Sequence, residues 1–365
     1  MGEMTGYNIA VLPGDGVGPE VTRESVKVLE ATGLGFEFTE CSVGGGAYIR
    51  EGDPLPQEAR DACEEADAVL FGAVGHDYAP YGIPRKVLVY LRMERDAYAN
   101  VRPLKLYPGV IRDRSGNGYG DIDVVIVRDN AEGIALEHEG FLWNERGMDK
   151  RVITSSGSRR ISRFAIRYAQ ERRRKRVTCV EQSNWLFSDK LFRMAFQEVA
   201  AESPKIETDC ENVDVAAMMQ VRDPRSFDVI VAPDMYGDIL SGIVIAQTGG
   251  VGLAPSACIG EDFAFFEPIH GTAWDLAGKG VANPIASILS AKLMLEWLGR
   301  RREADMIEAS VCRLLSEGRV RTSDLGGASS TSDVGDAVAA YVGDDSTMDV
   351  VGEMAVQPVE GFHSR

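Results

Sequence analysis

No two of the six cysteines, at positions 41, 63, 179, 210, 258 and 312, form a C-x-x-C pair. The spacing therefore offers neither a zinc-site pattern nor a disulfide framework. The cysteines read as small core residues of a reducing compartment. No apolar run approaches the roughly eighteen residues that suggest a spanning helix. No basic region followed by an apolar block precedes the strand-like run Asn8 to Leu12, so a cytoplasmic location is the expectation. Positive charge is scarce too. Lys and Arg number 39 against 56 Asp and Glu, for a net charge of −17. Nucleic acid and anionic membrane both call for a positive field, so neither is an expected partner. The one basic run, Arg172-Arg173-Arg174-Lys175-Arg176, reads as the solvated end of a helix, where the dipole favours cations. Internal repeats and long low-complexity linkers are missing, and from Asp344 the chain turns polar and irregular, as a loose tail would.

What is present is the composition of an ordinary globular chain. The 365 residues, 44% hydrophobic and 26% charged, suffice for one large or two ordinary domains. Asn8-Ile9-Ala10-Val11-Leu12 reads as a buried strand, followed by a helix beginning near Pro19 with Val17, Val21 and Val28 on one face. Ala68 to Phe71, Val124 to Val127 and Phe227 to Val231 read as further strands. Amphipathic helices are predicted around Ile161, Phe164, Ala165 and Tyr168, and again around Ile285, Ile288, Leu289, Leu293 and Trp297. Strands alternating with helices imply an α/β protein with a largely parallel sheet. The loop Gly14-Asp15-Gly16-Val17-Gly18 lacks the glycine spacing of a dinucleotide fingerprint, and Asp15 within it would oppose a pyrophosphate.

The most informative stretch is Phe266-Glu267-Pro268-Ile269-His270-Gly271-Thr272-Ala273-Trp274-Asp275, continuing through Asn283-Pro284 into an apolar helix. It resembles the adenosine-binding loop of the β-decarboxylating dehydrogenases, the isocitrate, 3-isopropylmalate, homoisocitrate, tartrate and D-malate enzymes. Five other segments are similar to that family in order. They are Leu12 to Val21, Leu91 to Pro103, Val125 to Arg128, Asp214 to Met218, and Tyr236 to Ser241. The resemblance spans roughly residues 7 to 342. It implies a two-domain isocitrate/isopropylmalate dehydrogenase-like fold with a parallel or mixed sheet core, distinct from a Rossmann fold. Residues 1–99 plus 255–365 would form the cofactor-binding domain, and 100–254 the substrate, metal and dimerisation domain.

The resemblance also implies a site. Arg92, Arg102 and Arg128 match three substrate-binding arginines. Taken singly each would read as a surface or ion-pairing residue. Together they suit a substrate bearing several carboxylates, since guanidinium grips carboxylate bidentately. Asp214 and Asp238 match ligands for Mg²⁺ or Mn²⁺, drawn in the family from two subunits, which implies a homodimer. Glu267, His270, Gly271, Thr272, Ala273, Asp275 and Asn283 match cofactor contacts. A carboxylate at Asp275 would accept from the ribose 2′-hydroxyl and repel a 2′-phosphate, which favours NAD over NADP.

Three departures fall at the reactive centre. Arg128-Asp129-Asn130-Ala131-Glu132-Gly133-Ile134-Ala135 carries Ala135 where the family has a proton-donating tyrosine. Glu181-Gln182-Ser183-Asn184 carries Gln182 where the family has a lysine base supplied across the dimer. Gly242 stands where a further metal aspartate belongs. Glu181 and His138 are candidate substitutes. The segment between Tyr78 and Leu91 is shorter than in isopropylmalate dehydrogenases, in the region that shapes the pocket for the substrate's variable group. The expectation is an NAD-dependent hydroxy-acid oxidoreductase with an unusual substrate, with or without decarboxylation. A catalytically impaired regulatory paralogue and a changed reaction, such as elimination or decarboxylation, are the alternatives.

Overall fold

The computed structural model describes residues 6–76, 79–80, 82–110, 122–133, 141–344 and 347. The first elements are β1 (Tyr7–Gly14), α1 (Gly18–Ala31), β2 (Phe36–Glu40), α2 (Gly45–Glu51), α3 (Gln57–Glu65), β3 (Ala68–Ala73) and α4 (Arg85–Val89). A π-helical turn, Tyr90–Glu94, extends α4. The middle holds β4 (Ala99–Lys105), β5 (Asp123–Asp129), β6 (Phe141–Trp143), β7 (Arg146–Met148), α5 (Ser155–Glu171), β8 (Arg176–Glu181), α6 (Phe187–Ala201), β9 (Glu207–Asn212), α7 (Val213–Arg222), β10 (Val229–Ala232) and α8 (Asp234–Gln247). The last part adds β11 (Pro255–Ile259), β12 (Ala264–Pro268), α9 (Ile285–Trp297), α10 (Arg301–Glu317) and α11 (Thr331–Val342).

Ten strands form one mixed sheet in the order β2-β1-β3-β12-β11-β4-β5-β10-β8-β9. β2, β1, β3 and β12 are mutually parallel, as are β5, β10, β8 and β9. β11 and β4 join the two blocks through antiparallel pairings. The strand centres β3 and β5 are buried on both faces, as an apolar run such as Val124-Val125-Ile126-Val127 requires. β6 and β7 form a separate two-stranded ribbon. No helix among the described residues is long and apolar enough to cross a membrane.

Register at the junction sets up the site. Glu267 on β12 lies opposite Ser256 on β11. Cys258 on β11 lies opposite Asn100 on β4, and Asn100 opposite Arg128 on β5. Paired residues share a face, as do residues two apart along a strand. Glu267, Ser256, Cys258, Asn100, Arg102 and Arg128 therefore make one polar row across four strands.

Three local expectations change. α9 is not amphipathic. Ile285 to Ala291 and Leu293 to Glu296 are all buried, and its polar residues bond inward, with the Ser290 hydroxyl donating to the Glu267 carbonyl at 2.8 Å. A helix apolar all round belongs in a core. The basic run is not simply solvated either. Arg172 lies 2.6 Å from buried Glu296, and Arg174 lies 2.6 Å from Asp123. Finally, Asp15 does not face an empty phosphate cradle. Its carboxylate is buried and accepts from the amides of Gly45, Gly46 and Gly75 at 2.8–2.9 Å. Gly44, at φ 93°, is required beside it, since a Cβ there would sit 2.4 Å from Asp15 Oδ2. The acidic residue ties three loops together. The polar tail from residue 348 lies outside the described residues.

Candidate active site

The polar row is a continuous chain of hydrogen bonds. Arg92, in the π-helical turn, lies 3.2 Å from Glu267 Oε1. The Cys258 thiol donates to the same oxygen at 3.5 Å and accepts from Asn100 Nδ2 at 2.8 Å. Asn100 Oδ1 accepts from Arg102 Nε at 2.7 Å. Arg102 Nη1 reaches Asp238 Oδ1 at 2.7 Å and donates to Ser241 Oγ at 3.2 Å. Arg128 Nη1 meets the same Asp238 oxygen at 2.9 Å. Arg128 Nε donates to Asp234 Oδ1 at 2.8 Å, and Nη2 bonds that oxygen too. The three arginines expected to bind substrate are thus brought together. Arg102 and Arg128 are only 6% and 3% exposed, far below what an arginine tolerates without partners.

Helix α8 supplies the opposite wall. Asp234, Asp238 and Ser241 are spaced i, i+4 and i+7 and share one face. Gly237 lies between them because a Cβ there would come within 2.7 Å of the Arg128 side chain. Asp234 and Cys258 are site residues that no sequence motif marks, while Asn100 and Asn130 lie inside matched segments without having been singled out. For Asp234 the i, i+4 spacing before Asp238 is the signal that could have found it.

Burial sets the electrostatics. It pulls Arg102 below its ordinary pKa, reinforced by the neighbouring Arg128 and opposed by Asp238. Burial, with Glu267 beside it, pushes the Cys258 thiol up to about 12, so it stays protonated and serves as a hydrogen-bond relay. Arg92 Nε and Asn130 Oδ1 are buried without a hydrogen-bond partner. Unpaired buried polar atoms are costly, so each of these two calls for a partner that the chain's own side chains do not supply.

Asp129, the residue after Arg128, is pushed up to about 7 by burial, against the Ala131 amide that donates to it at 2.8 Å. A folded-state pKa above the unfolded value means that protonation favours the fold. The cost of the buried carboxylate therefore grows as pH rises through 7. Asp129→Asn keeps the acceptor for Ala131 and removes the charge. Its gain in melting temperature should be larger at pH 8 than at pH 5. Equal shifts at the two pH values would contradict this account.

The segment expected to hold the cofactor follows β12. His270 Nδ1 bonds the Gly271 carbonyl at 3.0 Å, while its Nε2 is buried without a partner. Burial lowers its pKa, so the ring is neutral near pH 7. The Thr272 carbonyl accepts from the Val17 amide at 2.8 Å, which holds the glycine loop against this segment. Ala273 follows at φ 41° in the left-handed region. Trp274 Nε1 donates to the Gly75 carbonyl at 2.8 Å, and Glu20 accepts from the Gly280 amide at 3.0 Å. Asn283 is buried, donating to Asp324 at 3.0 Å and accepting from the Ile285 amide at 3.1 Å at the start of α9. Asp275, expected to face the ribose, is exposed. The free His270 nitrogen and the open space beside Gly271, Gly278 and Gly280 fit a nucleotide laid along this loop.

A divalent cation fits less well. Asp214 is exposed in the first turn of α7. No three acidic, histidine or cysteine side chains converge as a metal group among the described residues. Asp238 Oδ1 is taken by two guanidiniums, and nothing lies within 4 Å of where a Gly242 Cβ would stand.

Of the positions expected at the reactive centre, Ala135 and His138 lie outside the described residues. Gln182 follows β8, its amide nitrogen donating to Asp189 at 2.8 Å and its Oε1 buried without a partner. Glu181 is fully buried and committed, with Oε1 accepting from Arg193 at 3.0 Å and Oε2 from the Ser183 amide.

Comparison with known proteins agrees with this architecture. The family model "Isocitrate/isopropylmalate dehydrogenase" matches residues 8–338. The 3-isopropylmalate dehydrogenase of Methanothermobacter thermautotrophicus is 42% identical over 342 residues, covering 93% of this chain and 100% of that protein. The homoisocitrate dehydrogenase of Methanocaldococcus jannaschii is 40% identical over 344 residues, covering 92% and 97%. The crystal structure of isocitrate dehydrogenase from Methylococcus capsulatus superposes with a TM-score of 0.86 at 36% identity, covering 93% of this chain and all of that one. A mixed ten-stranded sheet, an arginine row across its junction and matches over nearly the whole chain lead to one conclusion: the protein belongs to the isocitrate/isopropylmalate dehydrogenase family.

Proposed function

We propose that the protein binds NAD and a 2-hydroxy acid carrying further carboxylates, and acts on an unusual member of that substrate class. The observation that carries the reading is the convergence of Arg92, Arg102 and Arg128 in one buried row beside the His270 loop. Three neighbouring guanidiniums, two of them buried, favour a ligand with more than one carboxylate. When bound, NAD supplies the hydride acceptor. His270, Asp275 and Asn283 would hold the adenosine half, and the arginines would fix the substrate carboxylates so that the carbinol carbon is oriented.

Proton removal is where this chain differs. Gln182 cannot accept a proton near neutral pH, and Glu181 is held by Arg193 and Ser183. That observation also favours a second reading, a ligand-binding regulatory paralogue with impaired turnover. A changed reaction in a specialised pathway is the third. Titration calorimetry with NAD and NADP, followed by a dehydrogenase assay across a panel of hydroxy diacids, separates them. NAD should bind more tightly than NADP, and Asp275→Ala should narrow the difference. Equal or tighter NADP binding overturns the cofactor assignment. NADH formation by the isolated protein favours the first reading.

A homodimer is proposed as the working form. Asp214, Met218 and Val221 share one exposed face of α7, and Met235, Asp238, Ile239 and Gly242 mark the exposed side of α8. Trp185 and Phe187, beyond Gln182, are 79% and 91% exposed. A second copy covering these apolar faces would bring Asp214 and Gln182 toward the other subunit's arginine row. Within each copy we assign residues 1–99 plus 255–365 to the cofactor domain and 100–254 to the substrate domain.

A further inference from the structure

The geometry points to Asp238 as a built-in counter-ion for the arginine pair, occupying the place of a ligand carboxylate, so that dicarboxylates bind here without a divalent cation. This rests on the reading of Arg102 and Arg128 as carboxylate-binding groups.

Charge and geometry carry the argument. Arg102 and Arg128 bring two positive charges into a site where both are almost fully buried. Asp234 neutralises one of them. It is itself buried, and two nitrogens of Arg128 bond it, so it is a fixed partner. The second charge is left to Asp238, which receives both guanidiniums on the single oxygen Oδ1. Asp238 differs from Asp234 in one decisive respect: its side chain is 50% exposed. It can swing into water at little desolvation cost, whereas Asp234 cannot. An incoming carboxylate that replaces Asp238 keeps the charge balanced and can engage both guanidiniums in the bidentate way that one oxygen does not.

The same geometry disfavours a divalent cation even with Asp214 of a second copy brought to the row, because Asp238 is already committed. A cation needs several oxygen ligands. Asp238 Oδ1 is committed to two cations within 2.9 Å, which would repel a third. One turn along α8, Gly242 offers no oxygen, and the space beside it is open. The positive charge that would draw in an anionic substrate is supplied instead by the arginines that Asp238 releases.

The test is thermal unfolding and titration calorimetry of the full-length protein with malonate, a plain dicarboxylate, in EDTA and in Mn²⁺. In wild type, malonate should raise the melting temperature in EDTA, and Mn²⁺ should add nothing to its affinity. Asp238→Asn should melt lower without ligand, because Arg102 loses its anion. It should then gain more from malonate than wild type does and bind it several-fold more tightly. If malonate binds wild type only in Mn²⁺, or if Asp238→Asn loses malonate binding, the counter-ion assignment is wrong while the arginine site survives. If malonate binds in neither buffer, the reading of the arginines themselves falls. The wild-type comparison decides the cation question even if Asp238→Asn fails to fold.

Discussion

Lys292→Met is expected to lower the free energy of unfolding at pH 7 by about 3–5 kcal/mol, the usual loss when a buried ion pair is broken from one side. Lys292 Nζ stands 2.8 Å from Glu296 and 2.8 Å from Glu308. Glu296 is also 2.6 Å from Arg172, and Glu308 is 3.1 Å from Lys105. Burial would push the Glu296 carboxyl up, but Lys292 and Arg172 outweigh it and hold the group at about 2. Methionine keeps most of the stem's volume and removes the charge, leaving Glu296 with Arg172 alone and Glu308 with Lys105 alone, and no cation between the two carboxylates. The sign with pH follows. A depressed folded-state pKa gives stability that is present above the unfolded value, about 4.3, and is lost as pH falls toward 2. The deficit of Lys292→Met should therefore be full above pH 5 and shrink by pH 3. Urea unfolding at both pH values measures it, and a loss below about 1 kcal/mol at pH 7 would mean the network behaves like a surface pair. The effect reaches the site because Lys105 ends the strand that carries Arg102.

Local periodicity explains why some of this architecture is legible in the sequence and some is not. β1, β3 and β5 can be read because strands buried on both faces appear as apolar runs. α9 reads as a helix, but its burial on every side cannot be read, because Ser287, Ser290 and Glu296 look like a polar face until their inward partners are known. The three arginines are legible through their motifs, and Arg128 also through its place at a strand end. What joins them is not. Cys258 and Asp234 belong to no motif, and Asn100 lies inside one without being marked as a contact. Only strand register across β11, β4 and β5, and the packing of α8 on that row, bring them into contact. Asp15 shows the same limit. A carboxylate in a glycine loop suggests repulsion of an anion, and only the folded loops reveal three amides waiting for it. Arg172 and Arg174 look like solvated charges because their partners, Glu296 and Asp123, lie far along the chain.

Combining Gln182→Lys, Ala135→Tyr and Gly242→Asp is expected to raise turnover on a standard family substrate by about 10²-fold or more. One positioned acid or base is typically worth about 10²- to 10⁴-fold, and on the proposed reading Ala135 and Gln182 stand where both are expected. On the proposed reading the His270 loop and the arginine row bind while positions 135 and 182 move protons, so the two functions are separable by mutation. At Gly242 nothing obstructs the added carboxylate. At position 182 the side-chain oxygen is buried without a partner, so the lysine replaces no existing contact of that atom. Glu181 is a poor substitute base in this geometry, since moving its carboxylate would strip Arg193 and the Ser183 amide of their acceptor. Isopropylmalate, isocitrate, tartrate and D-malate with NAD, followed by NADH absorbance, form the assay. Wild type should be very slow on all four, Gln182→Lys alone should gain less than the combination, and Asp275→Ala added to the combination should weaken NAD binding without removing the gain in saturated turnover. Should wild type already turn over one of these substrates at dehydrogenase rates, on the order of 1–10³ per second, other groups are moving the protons. Glu181 and His138 would then be the first to replace, with the pH profile of each variant showing which one titrates in the wild-type reaction.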